Sequence, residues 1–181
     1  MRADAVRNRQ RIFDEAHQAV TAGEITLTLN ELARRSGVGV GTVYRLFPTQ
    51  RAMLEGVLAD SVRGLIDVAT EAERLPEPVQ ALIEFLHAAL SAALAQPGLV
   101  DILITATDET ESLRQAKTEL GAATSRLLAR IEPAPALTAE NLLKLLCGLV
   151  HAVNEHPADR RTGAAEAYLR ILRGGLSPRH V

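Results

Sequence analysis

The stretch SGVGVGTVYRLF, Ser36 to Phe47, decides how this chain is read. It sets Gly37, Gly39 and Gly41 beside a run of larger side chains. Such a segment serves one of two ends. It is a loop whose backbone cradles phosphate, or a tight turn that sends the chain into a second helix. A phosphate loop needs G-x-x-x-x-G-K-[ST] after a buried strand, and a dinucleotide fingerprint needs G-x-G-x-x-G at a strand–helix junction. Here the spacing is G-x-G-x-G, the stretch has no lysine, and an amphipathic helical pattern precedes it.

The helix-turn-helix reading accounts for each residue. Upstream, Thr28 and Glu31 form a T-x-x-E capping box that starts a short helix. Leu29, Leu32 and Ala33 face inward, and Arg34 and Arg35 face out. Gly37 is a left-handed stop for that helix, and Val38 packs between it and the next. A second helix runs from about Val40 to Phe47. Val43 and Phe47, four apart, hold it to the body. Gly39 is its N-cap, where a small residue lets a phosphate backbone approach. Val40, Thr42, Tyr44 and Arg45 remain outside: an apolar group, a hydroxyl, a phenol and a guanidinium. Readers of base edges and phosphates use such groups.

Further out, Ile12, Phe13, Ala16 and Val20 line one face of a first helix, from about Ala5 to Ala22, which Gly23 stops. Pro48 turns the chain into a fourth helix starting near Gln50 and reaching as far as Arg74. The rest reads as helices over roughly 77–95, 99–106, 109–131, 138–155 and 162–173, with Asp108 and Glu111 as a D-x-x-E box. No sustained period-2 alternation supports a sheet. The expected fold is all-α, with a helix-turn-helix domain over 1–52 and a helical domain over 53–181.

Composition agrees with this reading. The 181 residues carry a net charge of −2, yet residues 1–52 hold eight arginines against five acids, and the remainder is acidic. A basic head on an acidic body suits a protein that meets a polyanion at one end. Cys147 is the only cysteine, which leaves no internal disulfide and points to a cytoplasmic protein. It reads as a small buried hydrophobe. MRADAVRNRQR has no apolar core after its basic residues, so no secretory signal is expected. No stretch approaches the ~18 apolar residues of a membrane span, so no membrane partner is expected. His87, His151 and His156 are not spaced as a metal cluster, and histidines in such helices are read as hydrogen-bonded packing. Neither a catalytic constellation nor a cofactor motif stands out, so neither enzyme activity nor a cofactor is expected.

The run TLNELARRSGVGVGTVYRLFPTQRAML, Thr28 to Leu54, resembles the N-terminal DNA-binding domain of the TetR family of bacterial transcriptional regulators. The matching elements are Thr28, Leu32-Ala33, Gly37-Val38, Gly41-Thr42-Val43-Tyr44 and Phe47-Pro48, within a resemblance covering about residues 7–58. The chain departs from the family pattern at Gly39, Val40 and Gln50. The resemblance implies double-stranded DNA as partner, with Thr28, Gly39, Val40, Thr42, Tyr44, Arg45, Gln50 and Arg51 as candidate contacts. It implies that the Tyr44 hydroxyl reaches a phosphate. Arg7, Arg9 and Arg11 read as a solvated face, with a basic arm beside the duplex as the alternative for one of them.

The helix over 138–155 is apolar on more than one face, which calls for a second partner. Leu142, Leu146, Leu149, Val150 and Val153, with Tyr168 and Leu172 of the last helix, are the expected four-helix homodimer interface, and the resemblance implies the same arrangement. A two-fold dimer reads a palindromic operator. A pocket for a small apolar or amphipathic effector is expected from Leu65, Leu82, Phe85, Leu86, Ile102, Leu103, Leu120, Leu127 and Leu128. The expectation is a repressor released by that effector; the alternative is an effector-independent, chromosome-organising DNA binder.

Overall fold

A computed structural model describes residues 2–132 and 136–176. Its helices are α1 (Arg2–Thr21), α2 (Leu29–Ser36), α3 (Val40–Leu46), α4 (Gln50–Ala72), α5 (Pro78–Ala95), α6 (Leu99–Ile104), α7 (Glu111–Ala129), α8 (Ala139–Asn154) and α9 (Arg161–Leu176). A short 3-10 turn, Ala158–Arg160, precedes α9. The all-α expectation holds.

The chain forms two compact units that are not consecutive blocks. One takes in the chain up to Asp60 together with Gln96–Arg114; the other takes in Ser61–Ala95 and the chain from Gln115 onward. The boundary expected after residue 52 falls inside α4, which continues without a break to Ala72.

In the first unit, α1 packs on α2 and α2 on α3. Local chemistry sets the ends of these helices. The Thr28 hydroxyl accepts from the Glu31 N–H at 3.2 Å. Gly37, at φ +64°, closes α2: its N–H reaches the Arg34 carbonyl, and the Val38 N–H reaches Ala33. This paired closure satisfies carbonyls that the last turn leaves open. Gly23, at φ +88°, ends α1 in the same way, with Glu24 N–H on the Ala19 carbonyl. A Cβ at Gly37 would also stand 2.8 Å from Nη2 of Arg11. Gly37→Ala is therefore expected to cost about 1–2 kcal/mol, read as a lower urea midpoint at unchanged slope. An unchanged midpoint would show that the turn relaxes freely.

Ile12, Ala16, Val20, Leu32, Val43, Met53 and Leu58 fill the core of this unit. Phe47 meets Phe13 of α1 edge-to-face at 5.0 Å. A Cβ at Gly56 would stand 3.0 Å from Phe47 and 3.8 Å from Phe13, so glycine there lets α4 approach both rings.

In the second unit, α5 packs on α8 and α9, and α8 on α9. α5 corrects one expectation: over 18 residues its mean hydropathy is 1.4, enough by length and composition to cross a membrane. Gln80, Glu84 and His87 interrupt the apolar run, but Ala81, Leu82, Phe85, Leu86, Ala89, Leu90 and Ala93 are buried. A helix covered by two neighbours needs two apolar faces. The Arg130 guanidinium closes the end of α4, donating to the carbonyls of Glu73 at 2.8 Å and Leu75 at 2.5 Å. The expected D-x-x-E start for α7 is misplaced. Thr110 caps the helix by accepting from Leu113 N–H, so Glu111 is the first helical residue.

Candidate functional site

α3 is anchored by one face and bare on the other. Val43 and Phe47 are buried, while Val40 and Tyr44 are 46% and 45% exposed. Burying two large apolar side chains is worth about 1.5–3 kcal/mol each, enough to seat so short a helix. Arg45 is exposed and donates to the Thr42 hydroxyl at 3.1 Å. Gly39 caps α3 without a side-chain hydrogen bond. Gly39, Val40, Tyr44 and Arg45 are thus exposed on or at the start of α3, and half-buried Thr42 holds Arg45.

The other three candidate contacts have internal partners. Thr28 caps α2. The Gln50 amide donates to the Ile25 carbonyl at 3.1 Å. Arg51 donates to Glu55 at 2.9 Å and to the Thr107 carbonyl at 3.2 Å. Arg35, expected to face out, ties α2 to the α1–α2 loop through Glu24 at 2.7 Å, and also pairs with Glu31 at 2.9 Å. The Glu31 carboxylate takes both Arg34 and Arg35. Those two guanidinia hold its carboxyl down at about 2.

Glu55 is the residue that sequence reasoning missed. Its side chain is 0% exposed. It accepts from the Glu109 N–H at 2.9 Å, the Thr110 N–H at 2.8 Å, the Thr110 hydroxyl at 3.0 Å and Arg51 at 2.9 Å. Thr49 also hydrogen-bonds Glu109. Burial pushes the Glu55 carboxyl up, but these donors outweigh it and hold the group below the usual carboxylate range. The available signal was an acid four residues after an arginine, amid the apolar run of early α4.

The effector and dimer candidates lie elsewhere. Leu65, Leu82, Phe85, Leu86, Leu120 and Leu127 are at most 2% exposed, and Leu128 is buried. Ile102 is buried and Leu103 half-buried, and both belong to the first unit. Other residues line the grooves on the second unit, among them one of about 510 Å³ beside Val68, Ala72, Leu75 and Ala88.

Of the expected interface residues, Leu142, Leu146, Val150 and Val153 are 3% exposed or less. They are core of the second unit and cannot also face a partner. Leu149, Tyr168 and Leu172 are half-buried, and Tyr168 hydrogen-bonds His156 at 3.1 Å. Cys147 is buried as expected, whereas His87 and His151 are exposed. α8 carries a second apolar stripe at Leu145, Gly148, Leu149 and Ala152, with Leu145 39% exposed. α9 carries another at Ala164, Tyr168 and Ile171, with Ile171 71% exposed.

The family described as "Transcriptional regulator SbtR-like, C-terminal domain" matches residues 77–178. A TetR transcription regulatory protein from Mycobacterium vanbaalenii is 30% identical, covering 98% of this chain and 99% of its own, with a TM-score of 0.54. An HTH-type transcriptional regulator of Staphylococcus aureus (strain bovine RF122 / ET3-1) is 44% identical over 48 residues, 26% of each chain. A tetR family transcription regulator from Shewanella sp. PV-4 shares the fold at a TM-score of 0.68 and 17% identity, over 95% of this chain and 99% of its own. A match over more than half the chain and a full-length relative at 30% identity agree with the exposed α3: the chain belongs to the TetR family of transcriptional regulators.

Proposed function

We propose that this protein is a cytoplasmic, non-enzymatic repressor that binds a palindromic operator as a homodimer and is released by a small apolar or amphipathic effector. The observation that carries the DNA reading is the outer face of α3, where Val40 and Tyr44 stand exposed beside Arg45 while Val43 and Phe47 are buried. Tyr44 and Arg45 supply a phenol and a guanidinium for phosphate or guanine, and Val40 an apolar contact for a thymine methyl. Gly39 lets the backbone come close, and Thr42 holds Arg45 in position. Thr28, Gln50 and Arg51 support the domain from within.

The dimer would pair the outer stripes of α8 and α9, Leu145, Leu149 and Ala152 with Tyr168 and Ile171. Two recognition helices would then meet half-sites ~34–36 Å apart. Effector binding would favour an arrangement that no longer fits this spacing.

One observation favours the effector-independent reading: the leucines expected to line a pocket are packed shut. Selection of binding sites from a random duplex pool separates the two. An enriched palindrome supports the operator reader, and binding to all sequences alike supports the chromosome-organising one. On a selected duplex, Arg45→Ala is expected to lower affinity by roughly 5- to 100-fold, with relaxed preference at one base pair if the contact is to guanine. An unchanged affinity would remove Arg45 from the interface.

A further inference from the structure

A small groove of about 200 Å³ lies between α1 and α3, lined by Ala5, Arg9, Ile12, Thr42, Arg45 and Leu46. We propose that it seats one phosphate of the DNA backbone between the guanidinia of Arg9 and Arg45, making α1 part of the DNA contact. The inference rests on α3 being the DNA-reading helix and extends that surface to a second element.

Three observations single out Arg9. First, most of the other basic side chains nearby are paired with carboxylates. Arg7 pairs with Asp4, Arg34 with Glu31, Arg35 with Glu24 and Glu31, and Arg51 with Glu55. Arg11 has no carboxylate partner among the described residues, but its guanidinium lies beside Gly37 and does not line the groove. Arg9 and Arg45 have no carboxylate partner among the described residues, so their charge is available to an outside anion. Second, both are held in place. The Arg9 guanidinium lies 5.6 Å from the centre of the Phe13 ring, and Arg45 is bonded to Thr42. A positioned guanidinium loses less freedom on binding than a waving one. Third, Arg45 lines the groove and is also exposed on α3, so the groove borders the proposed DNA surface. Ala5, Ile12 and Leu46 give the groove an apolar lining beside the two arginines. A diester phosphate fits this charge pattern, and in a duplex it arrives with the bases that α3 would read.

A phosphate contact and a base contact leave different marks. A lost phosphate contact weakens all sequences alike and lowers the salt slope by about one. Arg9→Gln is therefore expected to reduce affinity about fivefold at about 0.15 M salt, with the slope of log K against log salt shallower by ~0.9. The selected sequence and the melting temperature should stay as in the parent. Ethylation interference on the selected duplex should lose one phosphate position in Arg9→Gln, and Arg9→Lys should recover part of the affinity. A parent that binds a selected duplex, with Arg9→Gln matching it in affinity and slope, overturns the Arg9 contact alone. A weakened variant with an unchanged interference pattern also overturns it, since Arg9 would then act only through α1 packing. A parent that shows neither sequence enrichment nor a salt slope overturns the DNA-reading role of α3, and this contact with it.

Discussion

Glu55→Ala should be the most damaging single substitution proposed for this protein, costing about 3 kcal/mol and lowering Tm by about 6–12 °C. The carboxylate is shut off from water and accepts four donors, two of them backbone N–H groups of Glu109 and Thr110. Removing it strands those donors and leaves the Arg51 guanidinium with only the Thr107 carbonyl. A stranded buried donor costs its full desolvation, about 1–3 kcal/mol. Arg51 is 37% exposed and recovers some hydration, which keeps the estimate at the lower end of the range for broken buried pairs. Glu55→Gln keeps the shape but turns an NH₂ group towards donors, so it should fall between parent and Ala. The pH dependence has a definite sign. Glu55 is held below its ordinary value of 4.5, so the folded state binds fewer protons than the unfolded one. Its contribution is complete above that value and is lost as the pH falls through the lower, folded value. Parent and Glu55→Gln should therefore converge in stability on the acid side. A Tm loss under about 3 °C for Glu55→Ala would mean that the 107–110 segment does not depend on this residue.

If the proposed homodimer pairs the outer stripes of α8 and α9, joint replacement of Leu145 and Ile171 by glutamate should leave a monomer and weaken binding to a palindrome by on the order of 100-fold or more. Both side chains are exposed, so the subunit's own core is untouched and its helix content should persist. A carboxylate in the centre of an apolar two-fold interface meets its own copy and loses water, which such an interface cannot compensate. Without the dimer, each half-site binds alone and the gain from linked binding, about 10²–10⁴, disappears. Sedimentation and titration of a full palindrome against a half-site duplex read both effects. A double variant that still sediments as a dimer would place the interface elsewhere. One that is monomeric yet binds the palindrome at parental strength would sink the dimeric operator reading.

The DNA-binding motif was legible because its determinants are local. Thr28 starts α2, Gly37 stops it three residues before α3 begins, and Pro48 marks the exit. Each acts through backbone atoms a few positions away, so residue type and spacing suffice. Val43 and Phe47, four apart, fall on one helical face, and that spacing marks them as the anchors, both of which are buried. The TetR resemblance rested on that same run. What escaped the sequence are choices between equally apolar faces and partners distant along the chain. α8 carries two stripes, and only its packing against α5 and α9 decides that Leu142, Leu146, Val150 and Val153 turn inward while Leu145 remains exposed. Arg51 read as a basic contact at the start of α4, yet its partners include a carbonyl 56 positions away. Glu55 is buried by partners that spacing does not reveal, the Glu109 and Thr110 N–H groups more than fifty positions along the chain. The helices and their ends are set by short-range hydrogen bonding and periodicity. Which side of a helix is buried, and which charge is spent inside the protein, depends on long-range packing.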